Sequence, residues 1–98
     1  MYLTDFAMES KIEIIQINIS GEDKPGMTSS LTDILARYDA FILDIGQANI
    51  HQSLTLGILF MTTSDKSGAI LKELLFKASE LGVMIRFCLL YTSDAADD

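Results

Sequence analysis

The sequence predicts an α+β sandwich of order βαββαβ, the ferredoxin-like arrangement in which a four-stranded antiparallel sheet carries two helices on one face. Two observations predict it. Hydrophobic spacing switches between period two and period 3.6 in that order, and turn-forming residues stand at the switches. A length of 98 residues leaves room for one such domain with one core. Hydrophobic residues make up 49% of the chain and charged ones 21%, enough apolar surface to offset the entropy of ordering it.

The first strand is read over residues 11–20, where Ile15, Ile17 and Ile19 alternate with Gln16, Asn18 and Ser20, the pattern of a strand with one buried face. Residues 21–26, GEDKPG, break it: Pro25 fixes its own backbone, and Gly26 permits an unusual φ or a close approach. Met27, Leu31, Ile34, Leu35 and Tyr38 then form one apolar stripe of a helix ending near Asp39. Two strands follow, over residues 41–50 and 54–63, joined by a hairpin at His51, Gln52 and Ser53. In the second of them Leu54, Leu56, Ile58 and Phe60 share the core face. Residues 64–68, SDKSG, are expected to form the turn and cap of a second helix, with Ile70, Leu71, Leu74, Leu75, Ala78 and Leu81 on its apolar side. Gly82 ends that helix, and Glu73 and Lys77 stand at pairing distance, i and i+4. The fourth strand alternates Val83, Ile85 and Phe87 with Met84, Arg86 and Cys88. The expected organisation is therefore a flexible extension over residues 1–10, a domain over 11–89, and a disordered or artefactual tail over 90–98.

Composition excludes several classes of function. A formal charge of −7, with seven scattered Lys and Arg, disfavours nucleic acid as a partner. The strands also lack the aromatic and basic face that an RNA-binding domain of the same element order needs. No apolar run approaches the roughly 20 residues of a membrane helix, and the first ten residues lack the basic start of a secretory signal, so a cytoplasmic protein is expected. Cys88 is the single cysteine and is read as a small core residue, which leaves no disulfide or zinc cage. Ser, His and acid residues show no triad-like set, and a Gly-rich phosphate loop is missing.

The run INISGEDKPG, the helix MTSSLTDILARYDA and the strand FILDIGQANIH, with SLTLGILF and KSGAILKELLFKASELGVMIRF after them, resemble an ACT domain. More narrowly, they are similar to the N-terminal ACT region of bacterial phosphoserine phosphatases, in which a haloacid-dehalogenase-like catalytic domain follows. The likeness covers about residues 11–88. It implies a regulatory domain that binds an amino acid, serine as feedback product, near the turn after the first strand, at the junction with another ACT domain. That other domain is either a second copy or a part of the same parent chain. The resemblance places Asp23, Pro25 and Gly26 in the binding turn, and it matches Asp44, Gln47 and Asn49 to a polar pattern on the second strand. Backbone N–H groups of Met27 and Thr28 at a helix start suit an α-carboxylate, and Asp23 suits an α-ammonium. Each has a plainer role as well: Asp23 as a turn or capping residue, Met27 as core, Asp44 as a solvent-facing strand residue.

Phosphatases of that family use an Asp-x-Asp motif with Mg²⁺, and this sequence contains no Asp-x-Asp. The catalytic residues, and Mg²⁺ with them, are thus expected in the parent's C-terminal catalytic domain, and the present chain is expected to be a fragment without cofactor. Tyr91 to Asp98, YTSDAADD, departs from the family pattern and is expected to be non-native, as is the stretch ahead of Met8. The alternative function is a structural dimerisation module that pairs sheets edge to edge and binds nothing.

Overall fold

Alternating isoleucines commit Ile12–Glu22 to strand β1, which runs through the middle of the sheet and is paired along both edges. The computed structural model describes residues 11–92. After β1 come helix α1 (Met27–Arg37), strands β2 (Phe41–Ile50) and β3 (Ser53–Thr63), helix α2 (Ser64–Leu81) and strand β4 (Met84–Thr92). The sheet order is β2-β3-β1-β4 with every pairing antiparallel, so βαββαβ is the observed order, with β2 and β4 at the edges.

Both helices cover the face that carries Ile15, Ile17 and Ile19 of β1 and Leu54, Leu56, Ile58 and Phe60 of β3. Met27, Leu31, Ile34 and Leu35 close the core from α1, and Ile70, Leu74 and Ala78 do so from α2. Val83, Ile85 and Phe87 of β4 pack against the same cluster. The predicted core stripes are therefore the observed ones, except that Leu75 is half exposed, turned outward beside the exposed Phe76.

Several local expectations give way to longer-range geometry. Residues 64–68 belong to α2 itself: Thr63 is its N-cap residue, and Ser67 Oγ donates to the Ser64 carbonyl at 3.3 Å. The hairpin turn needs only His51 and Gln52, since Ser53 already pairs with Ile50. Beyond Cys88, β4 continues through Leu90, Tyr91 and Thr92, because β1 still has Ile14 and Glu13 to offer as partners after a register shift at Ile14/Ile15. Residues 1–10 and 93–98, where the remaining terminal expectations fall, lie outside the described part. Cys88 is exposed rather than in the core: it pairs with Gln16, on the face away from the helices.

Glu73 does not pair with Lys77. It is drawn across to α1, accepting from Arg37 Nη2 at 2.8 Å and from the Tyr38 hydroxyl, while Lys77 turns to Glu80 at 2.9 Å. Two donors at the C-terminal end of α1, Arg37 and the capping Tyr38, outcompete one Lys on the same helix, and the result is a polar clasp between the helices. Its hydrogen bonds from Tyr38 and then Arg37 hold the Glu73 carboxyl below the ordinary carboxylate range, and the same bond, together with partial desolvation, raises the Tyr38 hydroxyl.

Candidate functional site

The β1–α1 turn is held at three points by segments remote in sequence. Asp23 N–H donates to the Gln52 carbonyl at 3.0 Å, tying the turn to the β2–β3 hairpin. Lys24 Nζ donates to the Leu81 carbonyl at 2.5 Å, placing a cation on the C-terminus of α2, where helix carbonyls lack partners and the dipole favours positive charge. Gly21 lies so close to Val83 that a Cβ there would come within 2.7 Å of Val83 Cγ1, which draws the end of β1 against the start of β4. These anchors are absent from local sequence pattern. Lys24 and Leu81 are 57 residues apart.

The turn then enters α1 through Gly26, whose φ of 75° and ψ of 5° put it in the left-handed region at the N-cap position, with no side chain capping the helix. Met27 N–H reaches back to the Lys24 carbonyl at 3.3 Å, and its side chain is buried in the core. Met27 is therefore a structural residue, and its N–H is already engaged. Ser30 N–H starts the regular helix pattern by donating to Gly26 at 3.0 Å, and among the described residues Thr28 N–H has no backbone acceptor. No acidic residue occupies the first turn of α1.

Polar side chains connect this turn to the edge strand. The Thr28 hydroxyl donates to Gln47 Oε1 at 3.2 Å, Gln47 Nε2 donates to Asn49 Oδ1 at 2.9 Å, and Asn49 Nδ2 donates to Asp23 Oδ2 at 2.8 Å. Asp23, Thr28, Gln47 and Asn49 thus form one exposed relay, from the bend through β2 to the helix start. Gln47 and Asn49 pair with the core-facing Leu56 and Leu54, and so lie on the helix side of the sheet, next to the start of α1. Pro25 and Gly26 are exposed at the rim of this relay.

Asp44 is not part of it. A register shift between Ile42 and Asp44 sets Asp44 opposite Leu59, on the open face of the sheet, where it lines a shallow cavity with Gln16, Gly46 and Gly57. The side-chain period of two puts residues 44 and 47 on opposite faces.

The element order and the sheet order define a ferredoxin-like domain, with an exposed polar relay at the junction of its first helix and an edge strand. The chain belongs to the ACT domain family, whose profile matches residues 13–88. It is 38% identical over 52 residues to phosphoserine phosphatase SerB2 of Mycobacterium tuberculosis (strain ATCC 25618 / H37Rv), covering 53% of this chain and 12% of that protein. The chain thus spans about an eighth of this relative's length. Among solved structures it resembles an ACT domain protein from Streptococcus pneumoniae, with a TM-score of 0.67, 20% identity, and 79% of this chain against 89% of the other. It also resembles formyltetrahydrofolate deformylase from Burkholderia mallei, with a TM-score of 0.70 and 11% identity over 79% of this chain and 28% of the other. At such identities these likenesses speak for the fold alone. No helix among the described residues is long and apolar enough to cross a membrane.

Proposed function

We propose that this chain is the amino-acid-sensing ACT domain of a phosphoserine phosphatase of L-serine biosynthesis, binding serine where its β1–α1 turn meets a second ACT domain. The relay of Asp23, Asn49, Gln47 and Thr28 carries this reading, because it sets an acceptor for an α-ammonium and an uncommitted N–H for an α-carboxylate on one exposed patch. β2 supplies half of the relay and is exposed along its whole length. An unpaired edge strand is a template for another strand, so a second ACT domain docked along β2 covers a ligand held by the relay. Occupancy then alters the pairing, and through it the parent's catalytic domain, where Mg²⁺ and the phosphatase residues belong.

Titration calorimetry of the chain with L-serine and a panel of other amino acids tests the reading. Saturable binding of one of them, lost in Asp23→Ala, supports it. Absence of heat, together with an unchanged unfolding temperature across the panel, refutes it. The structural dimerisation module is the second reading, favoured by the apolar Phe41, Leu43, Ile45 and Ile50 along the same exposed edge. It predicts pairing along β2 that is indifferent both to amino acids and to Asp23→Ala.

A further inference from the structure

The face of the sheet away from the helices has no cover among the described residues, and over two of its rows the two edge strands differ in bulk. Reading across the strands, Arg86, Asn18, Gly57 and Gly46 form one row, in the order β4, β1, β3, β2. The row beside it, toward the β2–β3 hairpin, runs Met84, Ser20, Thr55 and Ala48. In these two rows the long side chains, Arg86 and Met84, thus stand on the β4 edge, and the smallest, Gly46 and Ala48, on the β2 edge. A Cβ built on Gly46 meets nothing within 4 Å, so that position is an open seat in the surface. On the other side of the glycine row Gln16, Leu59 and Asp44 face the same way, and beyond them come the apolar Ile14, Met61 and Phe41, the last 60% exposed.

We propose that this open face pairs with the same face of a second copy of the chain, about a two-fold axis parallel to the strands. Such an axis lays β4 over the partner's β2 and β1 over the partner's β3, row on row. Arg86 then lies across the partner's Gly46 and reaches the partner's Asp44 one pleat further along β2, and the symmetry makes the contact twice. Met84 sits over the partner's Ala48, Asn18 over the partner's Gly57, and Ile14 over the partner's Met61. Arg86 and Met84 thus meet small residues, Ile14 meets an apolar one, and the cation of the middle rows comes within one pleat of their anion. Arg86 forms no salt bridge within its own chain among the described residues. The axis also keeps the strands of the two sheets nearly aligned, which is the common way for sheets to pack face to face. Four strands and four rows of alternate residues cover roughly 500 Å² per copy, which lies at the lower end of specific interfaces.

This two-fold does not intersect one placed along the β2 edge, so a closed dimer of this chain uses one or the other, and using both builds an open array. The test is therefore made without amino acid. Sedimentation velocity is expected to show a dimer for the unmodified chain, weakened at least roughly tenfold by Arg86→Asp and by Asp44→Arg, because each places like charges opposite one another. The double exchange, Asp44→Arg with Arg86→Asp, is expected to restore the dimer. Gly46→Val keeps strand conformation and fills the seat, so it is expected to give a folded monomer by circular dichroism and sedimentation. A monomeric unmodified chain, single exchanges without effect, or a double exchange that stays monomeric would each overturn the proposal. Amino-acid binding at the β1–α1 turn is read separately by calorimetry and is expected to survive all four variants.

Discussion

Gly26 shows how one residue sets the entrance to the site. Its φ of 75° is a conformation in which a Cβ crowds the following carbonyl, although the space around it is open. Gly26→Ala is therefore expected to cost about 1–2 kcal/mol through backbone strain alone, read as a lower urea midpoint with an unchanged slope. Asp23 should behave in the opposite way. It is exposed and bonded to an exposed Asn49, so Asp23→Ala is expected to change stability by less than about 0.5 kcal/mol while abolishing amino-acid binding. Loss of binding with loss of fold would contradict that separation. Pro25 and Gly26 were legible in the sequence, because turn chemistry is local. The roles of Lys24 and Gln52 were not, since each acts on a partner that only the folded chain brings near: the Leu81 carbonyl for Lys24, and the Asp23 N–H for Gln52.

At the scale of elements, types and core faces could be read directly, because the periods of two and 3.6 show wherever one side of an element is buried. Element ends and side-chain partners could not. The start of α2 at Ser64, the run of β4 to Thr92 and the turning of Asp44 to the open face depend on register between strands, and a shift of one residue reverses the face. Glu73 is a similar case, with an expected partner on its own helix and its actual partners at the C-terminal end of α1. The clasp it forms makes helix packing depend on pH in two windows. A carboxyl held below its ordinary value of 4.5 adds stability that is complete above that value and is lost as pH falls through the depressed one. A tyrosine raised above 10.0 adds stability that is complete below that value and is lost as pH rises through the raised one. The stability difference between the unmodified chain and Glu73→Gln should therefore be level between about pH 6 and 9 and shrink toward both extremes, as urea midpoints across the range will show. A difference that stays level into strong acid would remove the carboxylate from the clasp.

For the molecule as a whole, the decisive asymmetry lies between the two central strands and the two edges. β1 is paired on both sides along most of its length and β3 along nearly all of its own, and their inward residues, Ile17, Ile19, Leu56, Ile58 and Phe60, have no exposed surface. Opening either strand requires breaking two ladders and exposing the core, which approaches global unfolding, whereas β2 gives up one ladder and is exposed throughout. Amide exchange should thus be slowest in β1 and β3 and much faster at the outward-facing amides of β2. This gradient makes the proposed junction visible. If an amino acid draws a second ACT domain onto β2, those outward amides acquire carbonyl partners, and the Asp23 turn, bonded to Asn49 of the same strand, is steadied with them. Exchange measured by mass spectrometry with and without saturating serine should therefore slow over residues 23–30 and 44–50 and stay unchanged in β4, whose free edge lies on the opposite side of the sheet. Slowing spread evenly over all four strands would indicate simple stabilisation by a ligand bound elsewhere. Protection confined to β4 would move the junction to the other edge, and with it the amino acid away from Asp23.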